Sequence, residues 1–528
     1  MIKEERRAKK SARNITFSVV AYAIQVVLSF FVRRFFIYTF GTEYLGFSSL
    51  FSNIISVLSL AELGFGTALV FAMYKPVADK DEEKVRQYLQ FYKRCYMVIG
   101  FIVLFSGLLV LPFMNFFKAK APNADVNLYC IYLIYLANTV FSYFFSYRRS
   151  LLYTHQRNDI ESKVGIFTNI ITVVFQLVIL LTVKNFYIYV SLTLLSTILN
   201  NIVIFVITNK MFPELTKKPE KPLGAEEKGA VKKNIFSMLL HKIGGTVVYS
   251  TDSVIIYLMF NATVLGIYSN YLLITTSIAT LIGLFLNSIR GSVGNAIASE
   301  SVEYNNNLFK KLNFIYIWIV SFCSICIFVL SNPFINVVLN KNAQNLTLDF
   351  LTIFCISLSF YLLQSRYMVC VYKECRGLFY EDRIKPLIEA ILNLAVSVGL
   401  GFLIGLKGII IGTIVSDIFC LIVEPIVVNK YYLKGSTVKY FGKYMIYTIS
   451  MFISGAITYL VCNFIPDLNL WTLIAKFAIC AVLPNLCLLI CLFKMPEFKE
   501  SFKWGRELIG GVFSKRKNKQ VENNSNQQ

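Results

Sequence analysis

The fold is decided by the stretch VVLSFFVRRFFIYTF, residues 26–40, where Arg33 and Arg34 lie side by side in an otherwise apolar run. The run ends an apolar segment that begins at Asn14 and exceeds the roughly 20 residues that a helix needs to cross a bilayer. Secretory signals have an apolar core of only about 7–15 residues, so we expect this segment to be a retained first membrane span. An arginine at the centre of a span costs about 2.5–3.5 kcal/mol on insertion scales, so such residues normally face protein or a water-filled cavity.

The composition extends this interpretation to the whole chain. Of its 528 residues, 56% are hydrophobic and only 16% are charged, and the mean hydropathy is +0.60. Soluble proteins average about 45–50% apolar and 25% charged residues, so one globular core cannot bury this much apolar surface. We predict an all-α integral membrane protein with about 14 transmembrane helices. The predicted spans are residues 14–40, 44–74, 87–113, 128–147, 164–183, 186–208, 234–260, 263–289, 312–331, 347–370, 386–405, 408–428, 444–464 and 471–493.

The distribution of positive charge predicts the orientation of these spans. With this threading, 43 Lys and Arg residues lie on the side of the N-terminus and 5 on the opposite side. Cytoplasmic loops of membrane proteins collect positive charge, so we expect both termini in the cytoplasm. The same rule explains most of the net charge of +22, so nucleic acid is not an expected partner.

The sequence shows no pattern typical of a metal site or a catalytic site. Most of the 12 cysteines lie in apolar runs, where Cys behaves as a small hydrophobic residue. The chain has only two histidines, so neither a metal nor a cofactor is expected. We predict that the protein is not an enzyme.

An internal repeat predicts how the spans are organised. An offset of 220 residues places Leu45-Gly46 on Leu265-Gly266 and Phe40 on Phe260. Six spans separate the copies, so the two halves have the same orientation and are related by a pseudo-twofold axis along the membrane normal. The predicted regions are a basic cytoplasmic N-terminus (1–13), an N-lobe of helices 1–6 (14–209), a cytoplasmic linker (210–233), a C-lobe of helices 7–12 (234–428), two extra helices (444–493) and a basic cytoplasmic tail (494–528).

Polar residues on the first span predict a wet surface inside the membrane. Steps of three or four residues join the polar positions and place them on one helix face. These positions are Ser18, Tyr22, Gln25, Ser29 and Arg33. Snorkelling of Arg33 to the outer interface is the alternative, but it does not explain the polar residues further along the same face.

The seventh span carries a corresponding polar face. Its members include His241, Gly245, Tyr249 and Asp252, with Lys242 beside them. At the offset of 220, Asp252 matches Val32, so we expect Asp252 and Arg33 to share one cavity from opposite lobes.

Three further charged positions, Glu62, Asp417 and Arg290, have a functional and a structural interpretation each, and a fourth is Glu424. Glu62 lies near Gly64 and Gly66, which permit a bend, and either functions in transport or makes a structural hydrogen bond. Asp417 lies in the middle of a span, and Arg290 either lines the inner mouth or anchors a helix. Glu424 is expected at the membrane interface.

Two segments resemble a known superfamily. The first is FGTEYLGFSSLFSNIISVLSLAELGFGTALVFAMYKPVADKDEEKVRQYLQFYKR (40–94), and the second is TDSVIIYLMFNATVLGIYSNYLLI (251–274). They are similar to the starts of the two halves of polysaccharide or O-antigen flippases in the multidrug/oligosaccharidyl-lipid/polysaccharide (MOP) exporter superfamily.

The resemblance implies alternating-access export of undecaprenyl-diphosphate-linked oligosaccharide across the bacterial plasma membrane, for surface polysaccharide biosynthesis. It implies substrate-headgroup binding by Arg33, Arg34, Lys242 and Arg290, and H⁺ or Na⁺ coupling through Asp252 or Glu62. From their helix faces we expect Gln25, Ser29 and Tyr249 to line the cavity, and from its mid-span position Asp417 is a further candidate for ion coupling. The expected partners are a polyprenyl-diphosphate-linked glycan, membrane lipids and other polysaccharide-assembly proteins.

Two other functions compete with this interpretation. An ion-coupled drug or small-molecule antiporter of the same superfamily favours an acidic and aromatic lining, which the paired arginines oppose. A membrane enzyme needs a catalytic constellation and usually a sizeable extramembrane loop, and the predicted threading offers neither.

Overall fold

A computed structural model describes residues 2–62, 65–121, 125–155, 157–229, 231, 250–339, 345–467, 469–504 and 506. In this part of the chain every regular element is a helix. The α-helices are α1 (Ile2–Phe40), α2 (Thr42–Leu58), α3 (Phe65–Ala78), α4 (Glu82–Leu108), α5 (Met114–Ala119), α6 (Leu128–Ser146), α7 (Arg149–Thr154), α8 (Asn158–Leu181), α9 (Phe186–Met211), α10 (250–259), α11 (Ala262–Ser299), α12 (Val302–Phe334), α13 (Phe350–Ser365), α14 (Tyr367–Arg376), α15 (Lys385–Ile404), α16 (Leu406–Val428), α17 (Thr437–Asn463) and α18 (Leu470–Leu492).

Twelve helical segments within the described residues are long and apolar enough to cross a membrane. Their outward faces carry large exposed apolar side chains, for example Phe402 on α15 and Trp471 on α18. Polar side chains at helix starts bind the backbone N–H groups that a helix leaves free, as Asn185 does at α9 and Asp349 at α13. The prediction of an all-α multi-pass membrane protein is therefore confirmed.

Two predicted spans differ from the other twelve. The span predicted at 44–74 is broken, because α2 ends at Leu58, a 3₁₀ turn covers Ser59–Glu62 and α3 begins at Phe65. The break lies beside Gly64 and Gly66, where the sequence permits a bend. Most of the span predicted at 234–260 lies outside the described residues, and its described end is α10.

The chain divides into two compact units. The first comprises Met1–Leu273, Val338–Leu348 and Arg383–Ser416. Within it α6 packs against α4 and α9, and α8 packs against α1 and α9. Aromatic rings of α1, α2 and α9 contact one another near the end of α1, among them Phe40, Tyr44 and Phe186.

The second unit comprises Ile274–Val337, Asp349–Asp382 and Asp417–Gln528. Its central element is α12, which packs against α13, α17 and α18. Hydroxyl groups connect these helices, since Ser324 of α12 and Ser357 of α13 exchange hydrogen bonds. The lobes predicted at 14–209 and 234–428 stay a prediction.

A reciprocal helix contact inside the first unit reflects the internal repeat. A Cβ atom on Gly46 of α2 would lie 2.0 Å from the carbonyl oxygen of Ala262, the first residue of α11. A Cβ atom on Gly266 of α11 would likewise lie 2.0 Å from the carbonyl oxygen of Thr42, the first residue of α2. Both pairs are related by the same offset of 220 residues, and twofold symmetry makes contacts reciprocal in this way. Only glycine permits so close an approach of two backbones.

Candidate substrate site and ion site

Arg33 of α1 extends toward the second copy of the repeat. Its Nε donates a hydrogen bond of 2.7 Å to the side-chain oxygen of Asn270, and its Nη2 donates to the hydroxyl of Ser269. Both partners lie two turns into α11 and are buried. The glycine contact between the starts of α2 and α11 brings this part of α11 within reach of α1.

Arg34 binds a different element of the same unit. Its Nη1 donates a hydrogen bond of 2.7 Å to the carbonyl oxygen of Val338. Val338 belongs to a π-helical turn, Ile335–Leu339, that follows α12. Adjacent residues on a helix point about 100° apart, which explains why the two arginines have separate partners.

The partners of both arginines are uncharged. Within the described residues, neither Arg33 nor Arg34 makes an ion pair. A guanidinium has five N–H donors in a planar fork and binds phosphate in a bidentate manner. Arg33 uses two of these donors here and Arg34 one, so donors and two positive charges are left for an anionic ligand.

The other polar residues on the same face of α1 are more exposed than Arg33. Gln25 is exposed and Ser29 is half-buried. The Ser29 hydroxyl donates a hydrogen bond of 2.9 Å to the carbonyl oxygen of Gln25, a pattern that satisfies a serine inside a helix. The Ser18 side chain, Lys242 and Tyr249 lie outside the described residues.

Asp252 of α10 is buried among neutral polar groups. Its Oδ2 accepts a hydrogen bond of 2.6 Å from Thr413 of α16, and Thr413 in turn accepts one of 3.2 Å from Asn393 of α15. Its Oδ1 is buried and accepts no hydrogen bond from the described residues. The described contacts do not join Asp252 to Arg33, so their predicted sharing of one cavity stays a prediction.

A glycine explains how α15 and α16 form this site. A Cβ atom on Gly412 would lie 2.1 Å from the hydroxyl oxygen and 2.5 Å from the backbone nitrogen of Ser397. The two helices therefore approach closely at Gly412, the residue before Thr413. This approach brings Thr413 within hydrogen-bond distance of Asn393.

Asp417 belongs to a buried charge cluster in the second unit. We define this cluster as two cations, Arg366 and Lys373, and three carboxylates, Asp382, Asp417 and Glu424, each at most 8% exposed. Lys373 forms an ion pair with Asp382 and another of 3.2 Å with Glu424. Arg366 lies 3.8 Å from carboxylate oxygens of both Asp417 and Glu424.

Local backbone structure assembles this cluster. Arg366 lies between α13 and α14, and Lys373 follows two turns later on α14. Gly377 ends α14 with a φ of 75°, a left-handed conformation that favours glycine. The chain turns there and returns Asp382 to Lys373.

The sequence patterns did not reveal this cluster. Glu424 is 1% exposed because it packs against Arg366 and Lys373, and its expected depth at the membrane interface stays a prediction. The span predicted at 347–370 ends before Lys373, whereas α13 and α14 form one spanning segment, Phe350–Arg376, which includes it. The available signal was the spacing of Asp417 and Glu424, which are seven residues apart and therefore lie on one face of α16.

Two further candidates, Arg290 and Glu62, contact side chains of neighbouring elements. Arg290 is exposed and forms a salt bridge of 3.0 Å with Glu374. Glu62 lies in the 3₁₀ turn between α2 and α3 and accepts a hydrogen bond of 3.1 Å from the hydroxyl of Tyr96. The hydrogen bond of Glu62 agrees with its structural alternative.

Comparisons with known proteins give the fold. No family model and no curated protein sequence matches the chain. Among solved structures, the chain is similar to the lipid II flippase MurJ in an inward closed conformation, with a TM-score of 0.65 and 15% identity, over 90% of this chain and 98% of that chain. It is also similar to an inward-facing multidrug resistance MATE family transporter of the MOP superfamily, with a TM-score of 0.56 and 14% identity, over 79% of this chain and 99% of that chain.

A third similar structure is also a MATE transporter. The Vibrio cholerae MATE transporter VcmN matches with a TM-score of 0.57 and 13% identity, over 81% of this chain and 98% of that chain. At these identities the likeness establishes the fold. The chain has the fold of MOP superfamily transporters, and the resemblance that the sequence indicated is confirmed at that level.

Proposed function

We propose that this protein is a flippase that moves undecaprenyl-diphosphate-linked oligosaccharide across the bacterial plasma membrane by alternating access, for surface polysaccharide biosynthesis. The observation that carries the proposal is the pair Arg33 and Arg34, two cations inside a span whose described partners are all neutral. The transporter fold supports the same class of activity.

Electrostatics explains why such a substrate needs these residues. A lipid diphosphate carries negative charge that is costly to move into an apolar medium without compensation. Arginine matches phosphate oxygens with parallel N–H groups, and such charge-assisted hydrogen bonds are about twice as strong as neutral ones. Ser269 and Asn270 hold the Arg33 side chain in place without neutralising its charge.

Asp252 supplies the proposed ion coupling. A buried carboxylate without a positive partner is costly, so it takes up a proton or a cation. The oxygen atoms of Thr413 and Asn393 are ligands of the kind that hard cations prefer, and Oδ1 of Asp252 accepts no hydrogen bond from the described residues. Binding of H⁺ or Na⁺ there is proposed to return the empty transporter to its starting state.

The proposal includes an orientation and partners. Both termini are in the cytoplasm, and the lipid-linked glycan is received from and delivered to other polysaccharide-assembly proteins. Reporter fusions at Pro122 and Pro222 test the orientation, with an external signal expected at Pro122 and a cytoplasmic signal at Pro222. Signals from the same side of the membrane contradict the threading.

Complementation tests the function. We expect the wild-type gene to restore surface glycan in a bacterial strain that lacks its own oligosaccharide flippase. The Arg33→Ala variant is expected to reach the membrane in equal amount without restoring the glycan. Full restoration by that variant contradicts the proposed role of Arg33.

An ion-coupled small-molecule or drug antiporter is the second candidate. The fold likeness to MATE transporters favours it. It predicts that the purified protein in liposomes exchanges an organic cation for H⁺ or Na⁺ and that Arg33→Ala leaves this exchange intact. The flippase proposal predicts no such exchange.

A further inference from the structure

A cavity of about 390 Å³ lies in the second unit, apart from the sites described above. It is lined by residues 306–313 of α12, by residues 439–447 of α17, and by Asn429, Gly435, Ser436 and Glu497. Its lining includes three lysines, Lys310, Lys439 and Lys443, and one carboxylate. The cavity is therefore positively charged.

Helix geometry adds to this positive potential. Ser436 caps α17, its hydroxyl accepts a hydrogen bond of 3.3 Å from the backbone N–H of Lys439, and it lines the cavity. The N-terminus of a 27-residue helix, with its free backbone N–H groups, thus lies at the edge of the cavity. Such helix ends favour anions.

Several buried polar atoms in the lining have no hydrogen-bond partner among the described residues. Oδ1 of Asn313, a residue only 6% exposed, and the hydroxyl of Tyr440 make no hydrogen bond within the described residues. Glu497 pairs with Lys443 through Oε1, but its buried Oε2 accepts no hydrogen bond there. Buried polar groups are normally hydrogen-bonded, so these atoms indicate a ligand that carries hydrogen-bond donors as well as negative charge.

The surroundings of the cavity indicate that the ligand is a lipid. On α17 the lining residues follow one face, and the face next to Lys439 exposes large apolar side chains further along the helix, namely Ile446, Ile453 and Ile457. The helix at residues 496–504 exposes Phe502 beside Lys499 and Lys503, a composition typical of the membrane interface. Basic pockets between transmembrane helices bind anionic headgroups.

We propose that this cavity binds the headgroup of an anionic phospholipid whose phosphate is followed by hydroxyl groups, such as phosphatidylglycerol. The phosphate lies among Lys310, Lys439 and the start of α17. A headgroup hydroxyl donates to Glu497, and the acyl chains lie along the exposed face of α17. Binding at this site does not depend on the transported substrate.

Titration of the purified protein in detergent with dioctanoyl phosphatidylglycerol tests the proposal. Lys310 and Lys439 are exposed, so the double variant Lys310→Ala/Lys439→Ala is expected to fold. Near a membrane surface each basic residue is worth roughly a factor of five in affinity, so we expect the Kd to rise about tenfold or more in the double variant. Lys430→Ala, an exposed lysine outside the lining, is the matched control and is expected to leave the Kd unchanged.

Two further titrations identify the source of the anion. Dioctanoyl phosphatidylcholine is expected to bind more weakly than phosphatidylglycerol, and inorganic phosphate is expected to displace the lipid only at far higher concentration. An unchanged Kd in the double variant overturns the proposal. Equal affinity for inorganic phosphate overturns the assignment to a lipid.

Discussion

Two groups of intramembrane cations differ in the charge of their partners. Arg33 and Arg34 have only neutral hydrogen-bond partners among the described residues. Arg366 and Lys373 lie among three carboxylates in the buried charge cluster. A compensated cation stabilises the helices around it, whereas an uncompensated one retains its attraction for a ligand.

The comparison separates structural charges from functional ones. Placing either group in a membrane costs free energy, and the sequence alone does not show which of the two is paired with carboxylates. The two groups differ in their partners, and those partners are known only from the folded structure, which brings α11, α14 and α16 into contact with them. We expect the effects of substitutions to decrease from the charge cluster, through Arg33 and the Asp252 site, to the surface pair Lys84 and Glu227.

The largest effect is expected for Lys373→Met in the charge cluster. Breaking a buried ion pair by removing one partner costs about 3–5 kcal/mol, because the other charges stay buried without compensation. We expect a markedly lower thermal unfolding temperature in detergent, whereas transport per folded molecule is retained. Lys430→Met, at an exposed lysine, is the control, and equal stability of both variants contradicts a structural role for the cluster.

Arg33→Ala is expected to reduce transport strongly and stability little, the opposite of Lys373→Met. Loss of one charged partner of a desolvated anion costs about 2–5 kcal/mol of binding, which is a decrease of thirtyfold or more. The unfolding temperature should change little, because Ser269 and Asn270 are neutral and tolerate the loss of a cation. Glycan export in cells measures the effect, and Arg33→Lys, which keeps the charge without the fork, is expected to be intermediate.

Asp252 extends the comparison to a buried anion with neutral partners. Hydrogen bonds to charged groups contribute about 1.5–3 kcal/mol, so Thr413→Val is expected to raise the cation concentration for half-maximal transport about tenfold or more. Asp252→Asn is expected to abolish the dependence on H⁺ or Na⁺. Transport assays in liposomes with imposed gradients measure both, and an unchanged ion dependence in Asp252→Asn contradicts its coupling role.

The half-buried surface pair Lys84 and Glu227 is expected to give the smallest effect and serves as a reference. The hydrogen bond from Lys84 holds the pKa of Glu227 below its usual range. A lowered pKa stabilises the folded state above the unfolded pKa, and this contribution disappears as the pH falls through the folded pKa. Surface pairs contribute about 0–1 kcal/mol, so Glu227→Gln should lower stability at pH 7 by less than the cluster variant and converge with the wild type in acid. A loss as large as that of Lys373→Met contradicts the distinction between buried and exposed charges.

The fold was largely predictable from the sequence because long apolar runs specify membrane helices directly. Twelve predicted spans correspond to described helical segments, and the repeated Leu-Gly pairs at 45–46 and 265–266 mark a reciprocal contact. Nearby glycines suggested a bend close to Ser59–Glu62, but they did not predict that the bend is a 3₁₀ turn. Arg33 was a visible candidate because a charge in an apolar run is conspicuous.

The partners of these residues could not be predicted, because they come from distant parts of the chain. Arg33 and Asn270 are 237 residues apart, and Asp252 and Thr413 are 161 apart. The cluster around Lys373 was hidden because its cations lie where two short helices, α13 and α14, continue one span that appeared to end earlier. Periodicity identifies a helix face but not the residue that it meets.

The most direct test of the account is the affinity of the purified protein for a short-chain polyprenyl diphosphate, measured for the wild type, Arg33→Ala and Lys373→Met. We expect Arg33→Ala to weaken binding by about thirtyfold or more, whereas folded Lys373→Met should bind as the wild type does. Equal affinity of the wild type and Arg33→Ala would contradict the central claim that the uncompensated arginine binds the diphosphate.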